Sequence, residues 1–190
     1  YVSNSGKKIG LIKVPSFSTE TEKKLVEALR TISSDGNADS VVFDLRGNVG
    51  GYMPAGVNSA KLFLPSRAHI IAEVDGAMKI TPYDADSIGA DLSLPIFILV
   101  DKQTASASEI FTAALQDNRR ATVVGKTNTY GKGKIQNVQS LSNGSGVAVT
   151  RARYITPSGR DLNGVGITPN RSPDKCDSID SAQTCLADII

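Results

Sequence analysis

The chain has 190 residues, of which 40% are hydrophobic, and a formal net charge of +2 at neutral pH. This length suffices for one domain with a buried core and is too short for two ordinary domains. Charges of both signs are interspersed, without a basic run or interleaved aromatic residues, so the charge pattern does not favour nucleic acid. No apolar stretch approaches the length of a membrane span, and the first residues do not resemble a signal peptide.

The first third of the chain predicts alternating strands and helices. Its apolar runs are short, whereas Leu25, Leu29 and Ile32 recur at helical spacing. The predicted elements are, in order, a strand over 9–14, a helix over 19–32, a loop over 33–39, a strand over 41–45, a glycine-rich turn over 46–51 and a helix over 55–64. The strand at 41–45 is almost wholly apolar, which is typical of a strand buried on both faces.

The remainder of the chain is expected to contain mostly strands and turns around one further helix. Asp75-Gly76, between two alternating runs, is the strongest short hairpin signal in the sequence. The elements predicted there are strands over 69–74 and 78–83, a polar connection over 84–93, a strand over 95–100, a helix over 109–115, strands over 121–124, 135–141 and 147–154, and a short closing segment over 165–169. A polar tail is expected beyond this point.

The stretch from Gln103 to Ile110 combines small residues with hydroxyl side chains at a predicted strand-to-helix turn. Such a turn can expose a nucleophilic serine beside backbone N–H groups that receive an oxyanion. Ser106 is the candidate nucleophile. Serine and threonine are also common helix caps, and this stretch taken alone is more typical of capping.

A nucleophilic serine needs a base, and the chain has one histidine, His69. His69 is predicted on a strand beside a hairpin, where a surface or core role is more typical. The alternative base is a lysine, and an unperturbed lysine is neutral in only about 0.04% of molecules at pH 7, so a basic lysine must be desolvated. Lys132 lies between Gly131 and Gly133, which permit close backbone approach. By itself this segment also fits a mobile loop with a solvated lysine.

Two glycine-rich segments do not fit nucleotide-binding patterns. Five residues rather than four separate Gly125 from Gly131, and Gly133 stands where a phosphate-binding loop has Ser or Thr. The turn at 46–51 lacks the dinucleotide-binding spacing. One histidine and two cysteines do not form a zinc-type cluster. The cysteines, at 176 and 185, either form a small disulfide, which suits an exported or lumenal setting, or stay reduced.

Three segments resemble, in this order, the signatures of the carboxyl-terminal processing proteases, also called tail-specific proteases. They are Asp44-Leu45-Arg46-Gly47-Asn48-Val49-Gly50-Gly51, Thr104-Ala105-Ser106-Ala107-Ser108-Glu109 and Gly131-Lys132-Gly133-Lys134-Ile135-Gln136. Each motif is weak alone, but their order and separation together are specific, and the likeness runs from about Ile9 to Pro169. Segments 54–58 and 144–150 are most similar to the photosynthetic branch, which trims the C-terminal extension of a photosystem II reaction-centre precursor.

The resemblance implies a role for individual residues. The family positions fall on Ser106 as nucleophile, on Lys132 as general base, on Gln136 as the residue that positions this lysine, and on the N–H groups of Gly51 and Ala107 as the oxyanion hole. Asp117 matches an acidic position that supports the site in some members and is not expected to be catalytic. Val49 departs from the Pro or Gly often found there, and the 126–130 loop is longer by one residue.

The implied fold is a single α/β core, with a twisted mixed sheet and packed helices, similar to the spiral of crotonases and Clp proteases. We expect residues 1–190 to form one protease core with a polar tail from about residue 170. Nothing in the sequence resembles the N-terminal helical region or the PDZ domain of family members, so this core is expected to come from a longer protein.

The implied function is that of a serine endopeptidase that cuts near the C-terminus of protein substrates, without a metal or cofactor. Its expected partners are C-terminal protein tails, a photosystem II reaction-centre precursor among them, and the PDZ domain of the parent chain. The expected setting is exported or lumenal, with the thylakoid lumen favoured over the bacterial periplasm. Two other functions stay open: a catalytically silent peptide-binding core and a crotonase-like acyl-transfer enzyme.

Overall fold

The structure, a computed structural model, describes residues 1–3, 5–36, 38–86, 89, 93–177, 180–187 and 189–190, with the side chains of 33–36 excepted. The strands are β1 (Ile9–Lys13), β2 (Ser40–Asp44), β3 (His69–Asp75), β4 (Ile80–Asp84), β5 (Ile96–Leu99), β6 (Ala121–Val124), β7 (Lys134–Ser140) and β8 (Gly146–Ile155). The helices are α1 (Thr21–Gly36), α2 (Met53–Lys61), α3 (Ala107–Asp117) and α4 (Ala182–Leu186).

The strands form two sheets rather than one. The first has the order β1-β2-β5-β6 and is parallel throughout, and the second has the order β4-β3-β8-β7 and is antiparallel. The predicted α/β class is confirmed, with parallel and antiparallel pairing separated between the sheets. Helices between successive strands make parallel pairing possible, whereas short turns join β3 to β4 and β7 to β8 in antiparallel pairs.

The parallel sheet is covered on both faces, which explains its apolar strands. Every residue of β2 is buried. Alternate residues of a strand point to opposite faces, so Val41 and Phe43 pack into the main core with the helices, whereas Val42 packs on the other side. That second side is covered by the tail, through Cys176, Cys185 and Leu186 among others.

Helix α3 lies at the centre of the main core. All its residues from Ala107 to Leu115 are buried. Phe111 contacts three other aromatic rings, with centroid distances of 5.3 Å to Phe43, 5.9 Å to Phe17 and 6.1 Å to Phe63. The rings of this cluster meet at tilted or edge-to-face angles, which are favourable for aromatic pairs. The helix therefore holds its first residue in a fixed place relative to the sheet.

The parallel register brings two loops to the same edge of the sheet. The last residues of β2 and β5, Asp44 and Leu99, are paired, and the Leu45 N–H donates to the Leu99 carbonyl at 2.9 Å. The glycine-rich turn that follows β2 and the turn from β5 to α3 consequently leave the sheet side by side. The N–H of Ala105 donates to the Asn48 carbonyl at 3.0 Å and joins these turns directly.

Several predicted boundaries are wrong. Helix α1 continues to Gly36, so the first part of the predicted 33–39 loop is helical, because a helix that has formed extends at little cost through polar residues. The predicted closing segment, 165–169, is a turn beside Thr129, whose hydroxyl accepts the Ile167 N–H at 2.7 Å. The predicted polar tail contains α4 and a disulfide between Cys176 and Cys185.

The other predicted elements are present, with ends shifted by a few residues. The largest shift is in α2, which begins at Met53 and ends at Lys61, and α3 is longer than predicted by two residues at each end, from Ala107 to Asp117. Part of the predicted 84–93 connection, residues 87, 88 and 90–92, lies outside the described residues. Of the helices in the described part of the chain, none is long and apolar enough to span a bilayer.

Candidate active site

Ser106 stands immediately before α3, at the point where the chain turns from β5 into the helix. Its φ and ψ angles are 57° and −119°, a sparsely populated conformation for a residue with a side chain. Hydrogen bonds hold both sides of the residue: the Ser106 N–H donates to Glu109 Oε2 at 2.9 Å, and the Ser106 carbonyl accepts the N–H groups of Glu109 and Ile110, at 2.8 Å and 3.0 Å. A strained strand-to-helix turn of this kind is typical of an exposed nucleophile.

Asp101 and Thr104 fix the turn that leads to Ser106. The Asp101 carboxylate accepts the backbone N–H groups of Gln103 and Thr104, at 2.9 Å and 3.0 Å. The same carboxylate accepts the Gly47 N–H at 3.0 Å, and the Thr104 hydroxyl donates to the Leu45 carbonyl at 2.9 Å. These contacts tie the serine turn to the glycine-rich turn after β2.

Two unpaired N–H groups lie in the turns that flank Ser106. Within the described residues, the N–H groups of Gly51 and Ala107 have no hydrogen-bond acceptor. Ala107 is the first residue of α3, where a helix offers no internal acceptor. Gly50 adopts a φ of 101°, and a Cβ atom there would lie 3.0 Å from the Ala107 nitrogen. Unpaired donors beside a serine are the arrangement that an oxyanion hole requires.

The loop that contains Lys132 contacts both the serine turn and the first turn of α3. The N–H of Tyr130 donates to the Thr104 carbonyl at 2.9 Å, and the N–H of Lys132 donates to Glu109 Oε2 at 2.9 Å. The Lys132 side chain is exposed. In the part of the chain that the structure describes, no hydrogen bond joins the Lys132 ammonium to the Ser106 hydroxyl. The structure thus brings the Lys132 backbone to the serine turn without joining the two side chains.

Glu109 is a residue at the site to which sequence reasoning assigned no role. It is fully buried and its carboxylate accepts from the Ser106 N–H, the Thr129 hydroxyl and the N–H groups of Gly131 and Lys132. A local signal existed, because Ser106 and Glu109 have the spacing of a capping box. The contacts with the 129–132 loop are long-range and leave no local signal.

Gln136 and His69 have hydrogen-bond partners other than Ser106 and Lys132. The amide of Gln136, exposed on β7, donates to the Thr150 hydroxyl at 3.3 Å and makes no hydrogen bond to Lys132 within the described residues. His69 Nδ1 lies 2.6 Å from Asp84 Oδ1, at the paired ends of β3 and β4. Among the described residues, no hydrogen bond links His69 to Ser106. No group of three or more His, Cys, Asp and Glu side chains among the described residues is arranged to hold a metal ion.

Asp117, at the end of α3, is part of a separate polar cluster. Its carboxylate accepts the Ser158 N–H at 3.0 Å and an Arg160 N–H at 2.7 Å. Burial on its own would raise the pKa of Asp117, but hydrogen bonds from Ser158 and Thr156 and the charge of Arg160 lower that pKa below its ordinary value. Asp117 thus anchors the 156–160 turn to the end of the helix that begins after Ser106.

Comparison with known proteins relates this fold and these motifs to proteases. Residues 8–172 match the model of peptidase family S41. The chain is 46% identical over 170 residues to carboxyl-terminal-processing peptidase 2, chloroplastic, of Arabidopsis thaliana, which covers 88% of this chain and 32% of that protein. It is 41% identical over 168 residues to the carboxyl-terminal-processing protease of a Synechocystis strain, covering 88% of this chain and 38% of that protein.

A solved structure agrees with these matches. The photosystem II D1 C-terminal processing protease superimposes with a TM-score of 0.79 at 39% identity, over 87% of this chain and 42% of that chain. The chain therefore spans about a third of the length of the two curated relatives described, 32% and 38%. Similarity in sequence and in fold extends over the segments that carry Ser106 and Lys132.

Proposed function

This chain belongs to peptidase family S41, and we propose that it is the core of a serine endopeptidase that cleaves protein substrates near their C-termini, with Ser106 as nucleophile and Lys132 as general base. The observation that carries the proposal is the setting of Ser106. The serine occupies a strained turn between two N–H groups, of Gly51 and Ala107, that have no acceptor in the described structure. This setting supports a nucleophile more than a helix cap.

In the proposed reaction the Ser106 oxygen attacks the carbonyl carbon of the scissile peptide bond. Lys132, in its neutral form, accepts the serine proton and returns it to the nitrogen of the leaving amine as the C–N bond breaks. The negative charge on the former carbonyl oxygen is received by the N–H groups of Gly51 and Ala107. Water then attacks the carbonyl carbon of the acyl-enzyme while Lys132 accepts a proton from it. The bond between that carbon and the Ser106 oxygen breaks, Lys132 returns the proton to the serine oxygen, and the new carboxyl terminus leaves.

The exposed Lys132 side chain must turn toward Ser106 before it can serve as a base. The lysine backbone is already held beside the serine turn, because its N–H donates to the carboxylate oxygen that also accepts the Ser106 N–H. We propose that a bound substrate covers Lys132 and excludes water, since desolvation disfavours the charged form of a lysine. Gln136 is proposed to leave Thr150 and accept a hydrogen bond from the turned lysine.

The proposed substrates are C-terminal tails of proteins. The similar solved structure is a photosystem II D1 processing protease, and the Arabidopsis relative is named chloroplastic. A photosystem II reaction-centre precursor in the thylakoid lumen is therefore our first candidate, with a substrate of the bacterial periplasm as the alternative. We further propose that residues 1–190 act as the protease core of a longer protein, in which a PDZ domain captures the tail.

One observation favours a second candidate, a catalytically silent core that binds peptides. Lys132 is exposed and makes no hydrogen bond to Ser106 within the described residues. The test is to incubate the protein with a peptide that carries a C-terminal extension and to identify products by mass spectrometry. The endopeptidase gives one cut in the peptide, and the Ser106→Ala variant gives none. Binding of the uncut peptide with no product from either protein would instead support the silent core.

A further inference from the structure

We propose that Glu109 is a positioning residue that joins the turn of the nucleophile to the loop of the general base. This inference rests on the proposed function for the roles of Ser106 and Lys132. The contacts through which this buried carboxylate holds the two segments together do not depend on those roles.

The two oxygens of Glu109 divide four donors between them. Oε1 accepts the Thr129 hydroxyl at 2.6 Å and the Gly131 N–H at 2.7 Å. Oε2 accepts the N–H groups of Ser106 and Lys132, each at 2.9 Å. An ionised carboxylate is an acceptor with about four lone-pair sites, so its capacity is filled.

The shared oxygen limits how far the two proposed catalytic residues can separate. The backbone nitrogens of Ser106 and Lys132 are at most twice 2.9 Å apart, because both donate to Glu109 Oε2. The Ser106 N–H bond also contributes to fixing the φ of 57° at the nucleophile. Loss of this acceptor would therefore relax both the serine turn and the lysine loop.

Stability alone does not account for a charge in this position. Glu109 is fully buried and forms no ion pair with a described Lys, Arg or His side chain. Burying a carboxylate is costly, and an apolar residue in such a place is often as stabilising or more so. Because three of its four donors are backbone N–H groups, what the carboxylate does provide is a fixed geometry between segments distant in sequence.

The experiment compares Glu109→Gln with a matched control, Glu73→Gln. Glu73 is also a buried glutamate, but it lies in the antiparallel sheet. Its carboxylate accepts hydrogen bonds from the Tyr83 hydroxyl and from Arg151, both at 2.9 Å. Glutamine at position 109 keeps the shape of the side chain, but one carboxylate oxygen is replaced by an NH₂ group, which cannot accept a hydrogen bond. Two of the four donors therefore lose their acceptor. A cooperative unfolding transition shows that each variant is folded.

Amide hydrogen exchange tests the structural part directly. Exchange at residues 131 and 132 should be about tenfold faster in Glu109→Gln, as expected for the loss of a charge-assisted hydrogen bond, and unchanged in Glu73→Gln. Equal exchange in Glu109→Gln and the unsubstituted protein would overturn the proposal. If Glu109→Gln does not fold, Thr129→Val is the second variant; it removes one donor to Oε1 and also the acceptor of the Ile167 N–H. It should give a smaller acceleration of exchange at residues 131 and 132, and unchanged exchange at these residues would overturn the proposal.

Kinetics separate this proposal from the proposed function. Misplacement of reacting groups by about 1 Å costs about 10²-fold in rate, so kcat of Glu109→Gln should fall by about that factor while KM changes little. Glu73→Gln should keep kcat within about twofold, since the Glu73 carboxylate contacts Tyr83 and Arg151 and, within the described residues, accepts no hydrogen bond from Ser106 or the 129–132 loop. A cleaving protein whose Glu109→Gln variant keeps its kcat contradicts the positioning role. If the unsubstituted protein cleaves nothing but amide exchange at residues 131 and 132 is faster in Glu109→Gln, the proposed function is contradicted. The link that Glu109 makes between the two segments is then still supported.

Discussion

Gly50 lies against Ser106 so closely that a Cβ atom on the glycine would stand 2.8 Å from the Cβ of the serine. The same atom would stand 2.6 Å from the Ala105 carbonyl oxygen, with no flexible side chain to move aside. With its φ of 101°, Gly50 also adopts a conformation that other residues rarely adopt. The contact sets the distance between the glycine-rich turn and the proposed nucleophile.

We predict that Gly50→Ala lowers kcat by about 10²-fold or more, because the added methyl group pushes the turn of Gly51 away from Ser106. Peptide hydrolysis at saturating substrate provides the measurement. Gly144→Ala is the control, because Gly144 also has a positive φ, 83°, but no atom of the described residues lies within 4 Å of a Cβ added there. It should lose about 1 kcal/mol of stability through backbone strain and keep its kcat. Equal kcat in the two variants would argue against a close-packed oxyanion turn.

Replacement of Phe111 should destabilise the whole core. Its ring contacts Phe17, Phe43 and Phe63 and is buried. We predict that Phe111→Ala lowers the free energy of unfolding by about 3–5 kcal/mol, the usual cost of deleting a buried aromatic ring. Urea denaturation followed by circular dichroism measures the change. A loss below about 1 kcal/mol would mean that the aromatic cluster does not hold α3 in place.

The disulfide and Arg46 together should hold the tail on the parallel sheet. The Arg46 guanidinium pairs with Asp44 at 2.8 Å and donates to the carbonyls of Asp177 and Asp180, at 3.0 Å and 2.7 Å. We predict that replacing Cys176 and Cys185 by serine lowers stability by about 2–3 kcal/mol, as expected for a short closed loop. The tail of that variant should also be cut first in limited proteolysis. A tail that stays as resistant as in the unsubstituted protein would show that Arg46 is sufficient.

Asp117 should make stability depend on pH on the acidic side. Its pKa is lower in the folded protein, where burial opposes the shift and the hydrogen bonds of Ser158 and Thr156 and the charge of Arg160 outweigh it. The stabilisation is therefore complete above the unfolded pKa of about 3.9 and is lost as pH falls through the lower folded pKa. We predict that Asp117→Asn is less stable than the unsubstituted protein at pH 7 and that the difference shrinks below pH 4. Urea midpoints at both pH values test this, and a constant difference would contradict it.

The features that the sequence predicts well are local ones. The strand at β2 is recognisable from its apolar residues, and the serine turn from small residues between an apolar run and helical spacing. The parallel register then follows from the helices between strands, so the meeting of the two turns at one sheet edge is predictable in principle. Glu109 illustrates the limit, because the donors of the 129–132 loop reach it only in the folded chain.

The tail is a second example of a long-range contact that the local sequence does not indicate. Its sequence is polar, yet Cys185 and Leu186 are buried against the second face of the parallel sheet. The apolar run of β2 implied a covered second face without indicating what covers it. The division of the strands into two sheets is likewise a long-range outcome, since the pairing of β3 with β8 joins residues that are far apart in the chain.

Variants of the proposed dyad should separate lysine from histidine as the base. Ser106→Ala and Lys132→Ala should abolish cleavage and leave the unfolding midpoint nearly unchanged, because neither side chain packs in the core. His69→Ala should keep most of the activity, because the His69 ring contacts Asp84 and, within the described residues, makes no hydrogen bond to the serine turn. Hydrolysis of one peptide by the three variants is the measurement. A dead His69 variant together with an active Lys132 variant would reverse the assignment.

The central claim is that Ser106 is a nucleophile activated by Lys132, and the most direct measurement is covalent trapping. The protein is treated with a small phosphonofluoridate that reacts with activated serines, and its intact mass is followed with time. We predict a single adduct that maps to Ser106, no adduct in Ser106→Ala, and labelling of Lys132→Ala slower by about 10²-fold or more, the usual contribution of a general base. An adduct that persists in Ser106→Ala, or labelling that is equally fast without Lys132, would contradict the account.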